Sequence, residues 1–240
     1  MIAAALDARL DHVATAVPDV DAALAHWCDT VGAGLVVRER NGRFHSAQVR
    51  LAGGGKLEVL APPPGAGPDN FVARFLDRFG PVLHHVTLKV DDLGAAIDTV
   101  RAGGYEVVDV ELTAPHWREG FLRPSQVGGL IVQVAWADED DAGWAARLGL
   151  IPTPPADGAP RLLGPTVAHP DLASARALWA LLGADVTVGR DRLVCRWPDS
   201  PLDVEVVTGD RPGPVALRFA GEVPAPARDG TPVPAVTVVD

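Results

Sequence analysis

Two histidines sit in near-identical settings. His12 lies in LDHVATAV (residues 10–17) and His85 in LHHVTLKV (83–90), each just ahead of a valine in an alternating apolar run. A carboxylate, Glu58, falls in KLEVLA, and Gln133 falls at the matching place in LIVQVAW. Two neutral imidazoles and a carboxylate are a ligand set for Zn, Mn, Co, Ni or Fe. Such a set supports Lewis-acid activation of a carbonyl or carboxylate oxygen. A lone histidine in an apolar strand usually ends as a core residue bonded to backbone. The matched placement of two, with Glu58 at hand, points to ligation instead.

For these groups to meet, particular elements must carry them. Residues 10–61 read as strand, helix and three strands. LDHVATAV is the first strand, and PDVDAALAHWCDTVG is a helix with Asp19 as N-cap and Val20, Leu24, Trp27 and Val31 at helical spacing. LVVRER, FHSAQVRL and KLEVLA are strand-like runs broken at Asn41-Gly42 and Gly53-Gly54-Gly55. APPPGAGPDN then leads to a short helix around FVARFLDRF. Residues 83–136 repeat the order: LHHVTLKV, a helix over DDLGAAIDTVRAGG with Leu93, Ile97 and Val100 inward, and strands over YEVVDVEL, around GFLRP and over LIVQVAW. His12 and His85 lie 73 residues apart, and Glu58 and Gln133 lie 75 apart, an agreement that unrelated segments rarely produce. Residues two apart in a strand share a face, so His12 on a first strand and Glu58 on a fourth can point to one concave side. Two such modules facing each other would bring His12, Glu58, His85 and Gln133 together.

A third copy follows GLIPTPPADGAP. RLLGPTVAHPDLASARALWALLGA aligns with LDHVATAVPDVDAALAHWCDTVGA, setting Asp171 against Asp19 and Trp179 against Trp27; both tryptophans read as helix core residues. LVCRWP and LDVEVV supply later strands. Beyond residue 212 only VALRFAG and AVTVVD read as strands, joined by proline-rich coil, as in a fourth copy that has lost its helix. The alignment puts Gly164 opposite His12, Pro214 roughly opposite His85 and Glu205 opposite Glu58, so the second half holds no comparable ligand set. Its expected role is structural, or to cover the edge or mouth of the first half. The expected fold is α+β, built of paired βαβββ modules: one complete pair plus a degenerate second pair. The expected domains are 1–140 with the metal site, a linker over 141–160, and 161–240.

Composition narrows the partners. The 240 residues are 48% hydrophobic and 22% charged, which is ordinary for a globular chain with a sizeable core. With 21 basic against 31 acidic residues the formal charge is -10, which disfavours nucleic acid and anionic membrane as partners. MIAAALDARLDH lacks the basic start and long apolar core of a signal peptide, and no apolar run approaches the ~20 residues that span a bilayer. Cys28 and Cys195 form neither a disulfide framework nor a metal motif. The expectation is a cytoplasmic, reduced protein that takes a small-molecule substrate, with a homodimer as candidate assembly.

The module order, the paired histidines and GGLIVQV resemble the vicinal oxygen chelate superfamily, which contains glyoxalase I and extradiol dioxygenases. Over residues 8–136 the chain is most similar to the methylmalonyl-CoA epimerase family, through LDHVATAVPDVDAA, KLEVLAPP, FVARFLDRFG, LHHVTLKVDDL and FLRPSQVGGLIVQV. The resemblance implies a cleft that chelates one divalent metal ion and a substrate that binds it through adjacent oxygens. It assigns His12 and His85 as ligands and puts Glu58 where a Glu or Gln ligand is expected. Gln133 stands where the epimerases have a glutamate that binds metal and shuttles a proton, and Gln48 stands where they have the second acid/base glutamate. An amide neither takes up nor releases a proton near neutral pH. Gln133 is then either a weak fourth ligand or a hydrogen-bonding remnant beside three ligands, and Gln48 is a substrate-facing polar group or an ordinary strand residue. Arg123, with Ser125 after it, lies where that family holds its acyl-thioester substrate.

His45, His116 and Glu119 are candidates for the missing acid or base, the last two expected in a loop before the third strand of the second module. His84, next to His85, should face the other side and be structural. The first functional expectation is a metal-dependent enzyme performing isomerisation, a lyase step or related proton transfer on a small oxo- or acyl-compound, without true methylmalonyl-CoA epimerase activity. The rivals are an Fe-dependent dioxygenase, with His12, Glu58 and His85 as its two-histidine, one-carboxylate triad, and a non-catalytic small-molecule binder of the resistance type.

Overall fold

The computed structural model describes residues 5–224 and 236–239. The first four residues of the leading segment, most of the proline-rich connection read between the last two strands (225–235), and Asp240 lie outside it.

The first module comprises β1 (Ala8–Ala16), α1 (Val20–Leu24), β2 (Gly34–Arg40), β3 (His45–Arg50) and β4 (Lys56–Ala61), followed by α2 (Phe71–Phe79). The second comprises β5 (Leu83–Val90), α3 (Leu93–Ala102), β6 (Val107–Glu111), β7 (Trp117–Leu122) and β8 (Ile131–Ala137). Their strands form one eight-stranded sheet in the order β2-β3-β4-β1-β5-β8-β7-β6. In each module the last strand returns parallel to the first, β4 beside β1 and β8 beside β5. That return requires a crossover, and the helix after each first strand supplies it. The two histidine-bearing strands therefore occupy the middle of the sheet. Every residue of β5 is buried, as befits a central strand covered on both faces.

Asp19, Asp92 and Asp171 each cap a helix by accepting from backbone N–H groups of the first turn. The first helix departs from expectation. It is α-helical only over Val20–Leu24 and continues as a π-helix over Ala25–Thr30. The wider turn lets the consecutive residues His26 and Trp27 both bury, while Leu24 is only half-buried. His26 Nε2 has no hydrogen-bond partner among the described residues, and burial pushes its imidazole pKa down.

The second sheet runs β10-β11-β12-β9-β13-β14, from β9 (Arg161–His169), β10 (Asp185–Val188), β11 (Arg192–Arg196), β12 (Asp203–Thr208), β13 (Gly213–Ala220) and β14 (Val236–Val239), with α5 (Leu172–Leu181). The order reproduces β2-β3-β4-β1-β5-β8, so β13 and β14 stand for the first and last strands of a fourth module and pair in parallel like their counterparts. The fold is α+β, with two sheets built of paired modules.

The segment read as a linker carries a further helix, α4 (Asp141–Arg147), and then a strap. Thr153 N–H donates to Leu35 O (2.8 Å), Leu35 N–H donates to Thr153 Oγ1 (2.9 Å), and Ala156 N–H donates to Gly32 O (2.8 Å). Gly34 is dictated by this strap, because a Cβ there would lie 2.1 Å from Thr153 O. Packing groups the chain into two compact units, each drawing on both halves of the sequence. One consists of Val13–His84, Glu139–Leu163 and Ala216–Asp240, where Trp27 stacks on Phe219 at 5.7 Å. The other consists of Met1–His12, His85–Asp138 and Gly164–Val215, where Leu6 N–H donates to Leu181 O and Ser200 Oγ donates to Leu10 O.

Candidate metal centre

His12 and His85 are both buried, and their rings meet edge to face at 5.8 Å between centroids. Glu58 on β4 is half-buried, opposite Ala14 of β1 and Gln48 of β3. One ligand atom from each of His12, Glu58 and His85 lies within 4.8 Å of the others. Two imidazoles and one carboxylate suit a divalent transition metal, and the donor set fits on that chemistry.

Gln133 belongs to a polar ladder that crosses neighbouring strands. The Thr87 hydroxyl lies 3.0 Å from His12 Nε2 and donates to Gln133 Oε1 at 2.6 Å. Gln133 Nε2 donates to Glu119 Oε2 at 2.6 Å, which also accepts from Trp117 Nε1 at 2.7 Å. An ionised carboxylate only accepts, so Glu119 fixes the amide with its nitrogen outward and its oxygen toward Thr87. Glu119 is not in a loop, as expected from sequence, but in β7 opposite Ala135, two residues from Gln133 on the same face.

The other candidates scatter. Gln48 pairs directly with Glu58 across β3–β4, so the two share a face. His45 is three residues earlier on β3 and therefore points to the opposite face. His116 is exposed just before β7, with Nδ1 2.8 Å from Asp138. Arg123 engages both carboxylate oxygens of Glu106 at the surface, a pairing that holds the Glu106 carboxyl below its usual range. Ser125 is exposed in the turn after it. His84 packs against Phe75 (4.5 Å) and Phe71 (6.2 Å), and burial pushes its pKa down to about 4, partly opposed by the charge of Glu58. It is a neutral core residue.

Sequence reasoning missed Thr87, Asp11, whose Oδ2 lies 2.8 Å from His12 Nδ1, and Lys89, whose ammonium lies 3.6 Å from Asp11 Oδ1. Thr87 and Lys89 share the face of His85 by strand alternation, which was the available signal. The second sheet keeps the register without the candidate ligand set: Glu205 sits opposite Thr166 as Glu58 sits opposite Ala14, but Glu205 accepts from Thr166 and Arg192. At the place of His12 stands Gly164, with φ +128, where a Cβ would lie 1.9 Å from Asp203 O. No side chain can be presented there.

A sheet of paired modules that gathers two histidines and a glutamate defines a class, and the comparisons agree. The chain belongs to the Glyoxalase/Bleomycin resistance protein/Dioxygenase superfamily, whose family profile matches residues 11–121. Among its relatives, the ethylmalonyl-CoA/methylmalonyl-CoA epimerase of Cereibacter sphaeroides is 32% identical over 133 residues, which is 52% of this chain and 96% of that protein. The mitochondrial methylmalonyl-CoA epimerase of Bos taurus is 32% identical over 134 residues, covering 54% of this chain and 74% of the relative. The crystal structure of methylmalonyl-CoA epimerase from Mycobacterium tuberculosis superposes with a TM-score of 0.51 at 28% identity, over 60% of this chain and 97% of that one.

Proposed function

We propose that the protein is a metal-dependent enzyme acting by proton transfer, of isomerase or lyase type, on a small oxo- or acyl-compound. The observation that carries this reading is the convergence of His12, Glu58 and His85, with epimerases of acyl-CoA esters among the relatives. In this reading those three residues hold one divalent ion, which when bound supplies Lewis-acid stabilisation of an oxyanion. Gln48 and Gln133 orient substrate oxygens through their amides but move no proton. Of the acid/base candidates, Glu119 is the one that hydrogen bonds tie to the site, through Gln133. We read it as the proton-accepting group. Arg123, already paired with Glu106, and exposed Ser125 carry less support as substrate contacts.

The same donor set favours one second reading. Two histidines and one carboxylate are the triad of non-haem Fe(II) oxygenases, so a dioxygenase is the competing activity. Elemental analysis of protein purified without chelators, with oxygen-uptake measurement, separates them. Zn, Mn, Co or Ni at one equivalent supports proton-transfer chemistry, and iron with oxygen consumption supports the dioxygenase. Metal below a tenth of an equivalent, even after incubation with these ions, overturns both in favour of a non-catalytic binder.

A further inference from the structure

Both ring nitrogens of His12 have neighbours, and the two sides differ in kind. Nδ1 lies 2.8 Å from Asp11 Oδ2, with the two side chains only 2% and 8% exposed. Asp11 Oδ1 lies 3.6 Å from the Lys89 ammonium, on a side chain 10% exposed. Lys89 Nζ stands 5.4 Å from the centroid of the Trp117 ring. A carboxylate only accepts, so the nitrogen facing it is the one that carries a proton, and Nε2 is left as the ring's donor atom. On that side the Thr87 hydroxyl, which donates to Gln133 Oε1, lies 3.0 Å away. A carboxylate this buried needs a counter-charge. Lys89 supplies it, with its own ammonium resting against an aromatic ring.

We infer that Asp11, held by Lys89, is a positioning residue for the metal ligand His12. It fixes the ring's tautomer and orientation so that Nε2 is offered toward Glu58 and His85. The inference rests on the metal reading above and adds the group that prepares the ligand. Carboxylates behind ligating histidines act in this way generally, and their loss weakens metal affinity about 10–100-fold.

The test uses the full chain, Co(II) as the probe, and the variants Asp11→Leu, Asp11→Asn and Lys89→Met. Asp11→Leu should weaken Co(II) binding by about 10–100-fold. Asp11→Asn, which keeps a neutral acceptor, and Lys89→Met should weaken it less. Nitrogen-detected imidazole spectra of the metal-free proteins at one fixed pH supply a readout that a merely structural role would not move. The parent should carry its His12 proton on Nδ1, and Asp11→Leu should lose that preference. Parent-like affinity together with a parent-like tautomer in Asp11→Leu overturns the inference. Should that variant not fold, unchanged Co(II) affinity in the isosteric Asp11→Asn overturns it equally. Should the parent take up no Co(II), the metal reading itself fails, and the imidazole spectra alone decide whether Asp11 sets the ring.

Discussion

Stereoinversion at a carbon next to a carbonyl needs a base on one face and an acid on the other. Positions 48 and 133 are carboxamides, and each is held among polar neighbours: Gln48 across from Glu58, Gln133 between Thr87 and Glu119. A positioned acid/base group typically contributes about 10²–10⁴-fold, so in a chiral assay the parent should interconvert the epimers of methylmalonyl-CoA at no useful rate. Introducing Gln48→Glu and Gln133→Glu together should raise that interconversion, provided the thioester still fits. Rapid interconversion by the unaltered protein would show that residues other than positions 48 and 133 supply both the acid and the base. At this scale the convergence of His12, Glu58 and His85 could be read from sequence, because strand alternation fixes their face and the repeat fixes their strands. Glu119 could not be placed in the same way. WREGFL mixes two charges and a glycine into a strand, which hides the β pattern and made a loop the natural reading.

Each degenerate element of the second half shows what a site requires. Gly164 is left-handed in β9, with backbone where a side chain would go. Gly164→Ala should destabilise the protein by about 2–4 kcal/mol, from strain and overpacking together. Denaturant unfolding checks this, and a cost below about 0.5 kcal/mol would contradict it, being the size of an ordinary surface substitution. In β11, burial pushes the Cys195 thiol pKa up to about 12 from 9.0, assisted by Asp203. A thiol raised in the folded state stays neutral there while the unfolded chain ionises. Its contribution is therefore fully present below pH 9 and declines as pH rises toward 12, by about 1.4 kcal/mol per unit. Cys195→Val should accordingly lose less stability than the parent between pH 9 and 11. Equal pH slopes for the two proteins would refute the assignment. The π-turn after α1 had no sequence signal, since the periodicity of Val20, Leu24, Trp27 and Val31 is that of an ordinary helix.

For the whole molecule, the repeat pointed to the paired modules, whereas the strand order of the sheets and the packing partners were beyond it. Hydrophobic periodicity says which face of an element is buried and is silent on which distant segment covers it. Trp27 is covered by Phe219, and the end of β2 is laced to the strap at Thr153. A fragment ending at residue 140 would lose both and expose Trp27. It should melt about 10 °C or more below the full chain, or aggregate. A fragment as stable as the full chain would show that the front modules need no cover from the back half.

The central claim is that His12, Glu58 and His85 hold one divalent ion, and metal content after substitution tests it most directly. The full chain and its His12→Ala and His85→Ala variants would be loaded with Co(II), freed of loose ion by dialysis and analysed for bound metal, with circular dichroism as the check on folding. The account predicts one equivalent in the parent, less than a tenth in either variant, and superimposable spectra for all three. Metal content unchanged in both folded variants would contradict it.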